Sequence, residues 1–231
     1  MAVRFDAVDD SLERECPTGG AFTLMAWVYI TTDRNAYTAF FQIHGNCTAE
    51  TDTDGTTLAL WTGSTLTAGD ALSTGTWYHI ALVSTGIALP YGTSYVYKNS
   101  ALNITHAQEV GVLDKLFFGN DGSSEWLNGR IAFGKAWGAA LSQSEIQQEM
   151  NSICPRRFEN LWGWWPMWPG ATERLADYSG NGRTLTKNGT LTDEDPPPVS
   201  YGAYGPIWAV PAVVANIQPP RSMHQFRQRG N

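Results

Sequence analysis

The sequence predicts an all-β fold, an antiparallel sandwich or barrel. Three observations carry this. Short apolar stretches recur every 10 to 20 residues, with Gly, Asn, Ser and Asp between them. Phe22 to Ile30 (FTLMAWVYI) alternates with both parities largely apolar, as a central strand covered on both faces should. The chain carries one strong helix start, at Ser142, where Ser142 and Glu145 are spaced for a capping box and Leu141 and Ile146 occupy the staple positions.

In chain order, Val3, Phe5 and Ala7 open with strand alternation. Phe22–Ile30 follows, then Phe40–His44, a polar loop from Asn46 to Thr56, and a strand from Thr57 to Trp61. Thr76–Ser84 is a further strand, and Ser94–Leu102 reads as part of a hairpin turning at Asn99-Ser100. Leu116–Asn120 is a short strand. In Trp126–Met150, Leu127, Ile131 and Phe133 share one parity, and Gly129 leaves a gap that suits a close backbone approach. Leu161–Thr190 brings an aromatic strand and the turn Ser179-Gly180-Asn181-Gly182.

The last 40 residues change character. Seven of the 12 prolines fall between residues 192 and 231. Asp193-Glu194-Asp195-Pro196-Pro197-Pro198 is expected to be a stiff extended linker. Beyond it lie short apolar pieces too small to form a core of their own. Residues 1–195 hold all 22 acids and 12 of the 15 bases, a net −10, whereas residues 196–231 are +3. An acidic body argues against nucleic-acid binding. The expectation is a docking arm whose partner-binding residues are Trp208, Val210, Val213, Ile217, Arg221, Phe226, Arg227 and Arg229.

Phe5-Asp6-Ala7-Val8-Asp9-Asp10-Ser11, Phe22-Thr23…Ala26-Trp27-Val28, Trp77…His79-Ile80-Ala81-Leu82-Val83, Gly129-Arg130-Ile131 and Leu141-Ser142…Glu145-Ile146 together resemble the phrases of laminin G-like domains of the concanavalin A-like lectin superfamily. The resemblance implies a two-sheet jelly roll over residues 1–191, with 192–231 as the arm. A D-x-S-G-N-G phrase that opens many family members stands near the end here, from Asp177, so the domain reads as circularly permuted. Calcium is the metal the resemblance implies, at Asp177 and Asn181 with Asp6 or Asp9 beside them; otherwise no cofactor is expected. The acidic pair that often follows Gly-Arg-Ile in the family is replaced by Ala132-Phe133, which weakens that transfer.

Other candidates read blandly. Glu50-Thr51-Asp52-Thr53-Asp54 lacks the third acid and the apolar spacers of a glucanase strand and is expected to be a solvated turn. His79 is expected to be a satisfied core residue. Trp27, Trp61, Trp126, Trp137, Trp162, Trp164, Trp165 and Trp168 are expected to fill or cover the sandwich rather than stack on sugars. Cys16, Cys47 and Cys154 have neither zinc spacing nor an even count, so reduced thiols are expected. No apolar run spans a bilayer and no signal peptide opens the chain, so host cytoplasm is the expected site of assembly.

Three function classes follow. The first is a non-enzymatic virion structural or accessory protein of a bacteriophage. It would dock by the arm to other virion proteins of a capsid or tail shell and to copies of itself, with cell-surface glycans as further partners. The alternative is a free carbohydrate-binding lectin, and a glycoside hydrolase comes last. Neither nucleic-acid binding nor membrane insertion is expected.

Overall fold

In a computed structural model, residues 1–16, 20–43, 47–86, 92–107 and 115–199 are described. Two antiparallel sheets face each other. The eight-stranded sheet orders β10 (Ala101–Ala107), β9 (Thr93–Lys98), β8 (Trp77–Ser84), β3 (Phe22–Ile30), β12 (Asn128–Trp137), β1 (Ala2–Asp6) and β15 (Thr192–Glu194), with β13 (Leu161–Trp165) also on β12. The seven-stranded sheet orders β14 (Thr186–Asn188), β2 (Ser11–Glu15), β11 (Lys115–Phe118), β4 (Thr38–Ile43), β5 (Cys47–Thr51), β6 (Thr57–Trp61) and β7 (Leu66–Ala71). This is the expected all-β sandwich.

The main core lies between the sheets. Phe5, Leu24, Val28, Phe41, Leu60, Leu82, Phe118 and Ile131 are buried there. Trp162 and Trp165 join them, their rings 5.9 Å apart and edge to face. Leu161–Thr190 is therefore integral to the sandwich: β13 extends the sheet beside β12, and β14 pairs with β2. Burying large aromatics of this kind contributes on the order of 2 to 3 kcal/mol each.

β12 shows how one strand serves two neighbours. One of its edges carries β1 along Asn128–Ile131 and β13 along Gly134–Trp137. Between these halves the pairing with β3 shifts, and Phe133 sits at φ 57. The irregularity reverses which parity faces inward: Ile131 lies in the main core before it, and Ala136 after it. The parity read from Leu127, Ile131 and Phe133 thus ends at Phe133, which is buried in neither apolar cluster. The close approach expected at Gly129 is present, since a Cβ there would overlap the Tyr29 carbonyl.

The helix α1 (Gln143–Met150) starts as its sequence predicts. The Ser142 side chain accepts from Glu145 N, and Glu145 Oε2 accepts from Ser142 N at 2.8 Å. Leu141 and Ile146 pack with Met25, Ala81, Val83 and Trp137 in a second apolar cluster on the outer face of the eight-stranded sheet. A buried ion pair supports them. Lys135 Nζ donates to Glu149 Oε2 at 2.8 Å and to the carbonyls of Glu149 and Ser152. Glu149 Oε1 accepts from the backbone of Arg156 and Arg157.

Three expectations are corrected. Asn46–Thr56 is not all loop: Cys47–Thr51 is β5, and only the following turn is polar and exposed. Residues 192–194, assigned to the arm and its linker, belong to the sheet. β15 pairs with β1, while Asp193 meets Arg174 at 3.0 Å and Glu194 meets Arg130 at 3.5 Å. β7 was absent from the sequence reading, because Leu66–Ala71 is a half-exposed edge strand with little apolar alternation. The arm residues Trp208, Val210, Val213, Ile217, Arg221, Phe226, Arg227 and Arg229 lie outside the described residues. All three cysteines are free thiols, Cys16 and Cys47 buried and Cys154 exposed. Among the described residues no helix is long and apolar enough to cross a membrane.

Candidate functional site

The seven-stranded sheet turns a polar row outward. Cys47 and Ala49 point into the core, so alternation puts Thr48 and Glu50 on the opposite face. Leu58 and Leu60 likewise leave Ala59 and Trp61 outward. Register then aligns Glu13, Phe117, Gln42, Thr48, Trp61 and Leu66 across five strand pairs. In the next row Glu50 stands between Ala39 and Ala59, with Ala68 beyond. The small neighbours leave room above Glu50.

The segment from Gly119 to Trp126 roofs this row. It is pinned to the strands by Gly119 N to Phe40 O at 2.8 Å and by Ala39 N to Glu125 O at 3.2 Å. Gly122 lies against the Phe117 ring and Gln42 Oε1. The roof places the Glu125 carboxyl against that of Glu50, and the two share a hydrogen bond. Asp121 stands beside them, its carboxylate accepting from Ser123 N, Ser123 Oγ and Glu125 N.

Glu50 is only 3% exposed. Burial, the Glu125 hydrogen bond and the charges of Glu125, Asp121 and Asp52 push its carboxyl up to about 10. Burial also raises Glu125, partly offset by its hydrogen bond to Glu50, with Asp121 raising it further. Two carboxyls in contact cannot both ionise, so the pair holds a proton at neutral pH. Gln42 and Asn120 are buried as well, and Gln42 Oε1 and Asn120 Nδ2 have no hydrogen-bond partner. Trp61, next to last in the row, is half-buried. A half-buried aromatic, an acid pair and unsatisfied amide groups together suit a ligand rich in hydroxyls.

The solvated turn expected at Glu50–Asp54 is half right. Asp52 O accepts from Gly55 N, and the Asp54 carboxylate accepts from Thr56 N, Thr57 N and Thr57 Oγ1, so that part is an exposed capped turn. Glu50 is the exception. Its partner Glu125 is 75 residues away in the sequence, and the alternation around it was too polar to read as a strand.

Asp177 and Asn181 do come together, but as a turn. Asp177 Oδ1 accepts from Trp164 N at 3.1 Å and Ser179 N at 2.9 Å, and Oδ2 from Arg183 N at 2.8 Å. Partial burial would raise its pKa, but the hydrogen bonds from Ser179, Arg183 and Trp164 outweigh this and hold it below the usual carboxylate range. Asn181 Nδ2 donates to the carbonyls of Leu161 and Trp162. Both side chains are thus engaged by the turn itself and by β13. Asp6 and Asp9 lie elsewhere, at the turn between β1 and β2.

His79 is buried as expected, and burial together with the Lys135 charge lowers its pKa to about 3. It is not fully satisfied, because Nδ1 lacks a partner, and its ring stands edge-on to Trp27 at 5.6 Å. Of the tryptophans, Trp137 and Trp165 are wholly buried and Trp162 nearly so, as expected of filling residues. Trp27, Trp61, Trp126, Trp164 and Trp168 are only part-buried.

No curated protein matches the chain. Among solved structures, a candidate carbohydrate-binding protein from Bacteroides ovatus superposes with a TM-score of 0.66 at 18% identity, covering 85% of this chain and 60% of that one. The chain thus spans less than two thirds of that relative's length. A heptameric pentraxin of Limulus polyphemus (TM-score 0.49, 17% identity, 63% of this chain and 79% of that one) is also similar. So is domain 4 of an extracellular arabinanase from Geobacillus stearothermophilus in complex with arabinotriose (0.49, 17%, 64% and 76%). At these identities the likenesses concern the fold. A family profile matches residues 8–147, more than half of the chain. The chain belongs to the laminin G-type concanavalin A-like lectin/glucanases superfamily.

Proposed function

We propose that the chain is a non-enzymatic carbohydrate-binding module whose ligand site is the outer face of the seven-stranded sheet at Trp61, Glu125, Asp121 and Glu50. The observation that carries this is the buried row of polar groups with unmet hydrogen bonds beneath the roofing segment. Such groups are costly unless something completes them. Sugar hydroxyls both donate and accept, so they match an acid pair, Gln42 Oε1 and Asn120 Nδ2 at once. Trp61 supplies a ring for the apolar face of a pyranose or furanose. The matched Bacteroides protein supports the same reading by its description.

The same geometry weighs against hydrolysis. A retaining glycosidase holds its two carboxyls about 5 to 5.5 Å apart and an inverting one about 6.5 to 9.5 Å apart. Glu50 and Glu125 are hydrogen-bonded to each other, which leaves no space for a glycosidic bond between them. Nothing among the described residues or the matched proteins favours the virion reading over this one.

A glycan array probed with the purified chain should give binders, and Glu125→Gln should weaken the best of them by at least roughly tenfold, about 1.4 kcal/mol, with Tm unchanged or higher. An array without binders, or undiminished binding by the variant, overturns this reading.

A further inference from the structure

The two buried amides of the polar row are oriented by bonds they already make. Gln42 Nε2 donates to Thr48 Oγ1 at 3.1 Å, so Oε1 turns toward the roof at Gly122 and stays unpartnered. Asn120 Oδ1 accepts from Gly122 N, which leaves Nδ2 unpartnered. Gln42 is 3% exposed and Asn120 2%. The row thus holds one unmet acceptor and one unmet donor. Neighbouring substituents on one sugar ring, one with protons to give and one with lone pairs, can meet both.

The charge of the site has one sign. Glu50 and Glu125 share a hydrogen bond, and a bond between two carboxyls needs a proton between them. The pair keeps one negative charge, and the Asp121 carboxylate beside it adds another. The charges that act most on Glu50 are those of Glu125, Asp121 and Asp52. Among the described residues none of Glu50, Glu125 and Asp121 is in an ion pair. Two cations that border the row and its roof have other partners. Lys115 meets Glu13 at 3.2 Å, and Arg34 Nη1 donates to Trp126 O at 2.7 Å.

Buried like charges without a counter-ion repel each other and lose hydration, so a ligand that brings a cation relieves both costs. A neutral sugar would complete the amides and leave the charge. A uronate, sialate or sulfate would add to it. An ammonium group has protons for Gln42 Oε1 and for the carboxylates, while a hydroxyl beside it can accept from Asn120 Nδ2. The Trp61 indole adds a face that attracts positive charge. We propose that this face selects glycans bearing a free amine, that Asp121 and the Glu50–Glu125 pair set the choice, and that carboxylated and sulfated glycans are excluded. The proposal rests on the carbohydrate-binding reading above and narrows it to one ligand class.

Short oligomers of chitosan, chitin and cellulose share one backbone and differ at C2, which carries an ammonium, an acetamide or a hydroxyl. Each would be titrated by calorimetry into the full chain at about pH 6, where such an amine is protonated. The chitosan oligomer should bind at least roughly tenfold more tightly than the other two. Carboxylated and sulfated glycans should be missing from the array binders. Asp121→Asn should weaken chitosan binding at least roughly fivefold, with Tm as the check on folding. Glu159→Gln makes the same change of net charge at an exposed residue before β13, and should leave the preference intact. Equal losses in the two variants would assign the preference to the net charge of the chain and overturn the proposal. So would chitosan binding no tighter than chitin or cellulose. So would no binding by any of the three while the array gives other binders; the carbohydrate-binding reading would then stand without this one. An array without binders would remove both.

Discussion

Each outer face of the sandwich buries one pair of ionisable side chains, and the two pairs are built in opposite ways. On the eight-stranded sheet Lys135 meets Glu149, charges of opposite sign, and the Lys135 ammonium and both Glu149 carboxylate oxygens have hydrogen-bond partners. On the seven-stranded sheet Glu50 meets Glu125, groups of like sign, beside amide atoms with no partner. The aromatic rings divide the same way. On the eight-stranded sheet Tyr29 is stacked by Arg130 at 4.8 Å and packs on Trp77 at 5.3 Å. On the other face Trp61 stands half-buried between Thr48 and Leu66. A satisfied pair fastens a helix to a sheet; an unsatisfied one is a place where a ligand can complete the bonding.

The largest effect expected from this contrast is on Lys135. Lys135→Met alone should cost about 3 to 5 kcal/mol in urea unfolding, because Glu149 keeps a buried charge without its counter-ion. Replacing both members with apolar residues should restore only part of that loss, because the backbone N–H groups of Arg156 and Arg157 would lose their acceptor. A single variant as stable as the parent would show that the pair does not hold the helix.

The second effect is a pH dependence produced by the like-charged pair. The folded-state pKa of Glu50 is about 10, above its unfolded value near 4.5. The folded chain therefore keeps a proton that the unfolded chain releases. That contribution to stability is complete below about pH 4.5 and is lost as pH rises toward 10, at up to about 1.4 kcal/mol per pH unit. Glu50→Gln should flatten this slope and stabilise the chain at neutral pH. His79 acts with the opposite sign, since its pKa of about 3 makes stability fall as pH drops below about 6.5. The N-terminal amine, lowered from 8.0 to about 6 by burial, also titrates near neutrality, so the difference in slope between parent and variant from about pH 7 to 9 isolates the Glu50 contribution; equal slopes for the two would contradict it.

The smallest effect belongs to the cap. Ser142→Ala should cost about 1 kcal/mol, because the hydroxyl holds one N–H of the first turn while packing of Leu141 and Ile146 is untouched. A midpoint equal to that of the parent would mean that the cap contributes nothing to holding α1.

The same contrast sorts what could be read from the chain alone. The cap of α1 was legible because its partners lie three residues apart. β3 was legible because nine residues of alternation, apolar on both parities, have one reading. Glu50 was not, because the residues that bury it come from β4, β6 and a segment 75 residues on. Lys135 was hidden for a similar reason: a lysine in a strand reads as solvated until a helix is known to cover it. The irregularity at Phe133 reverses an inward parity that the alternation of Leu127, Ile131 and Phe133 would continue. Asp9-Asp10 was visible as a phrase, yet nothing local separates the exposed acid from the buried one.

The central claim is that the roofed, polar face of the seven-stranded sheet is the binding face and the outer face of the eight-stranded sheet is structural. The most direct measurement is a calorimetric titration of the best array glycan into Trp61→Ala and into Trp77→Ala. The account predicts that Trp61→Ala loses about 2 kcal/mol or more of binding free energy, while Trp77→Ala binds like the parent. Full affinity in Trp61→Ala with binding lost in Trp77→Ala would contradict it and move the site to the other sheet.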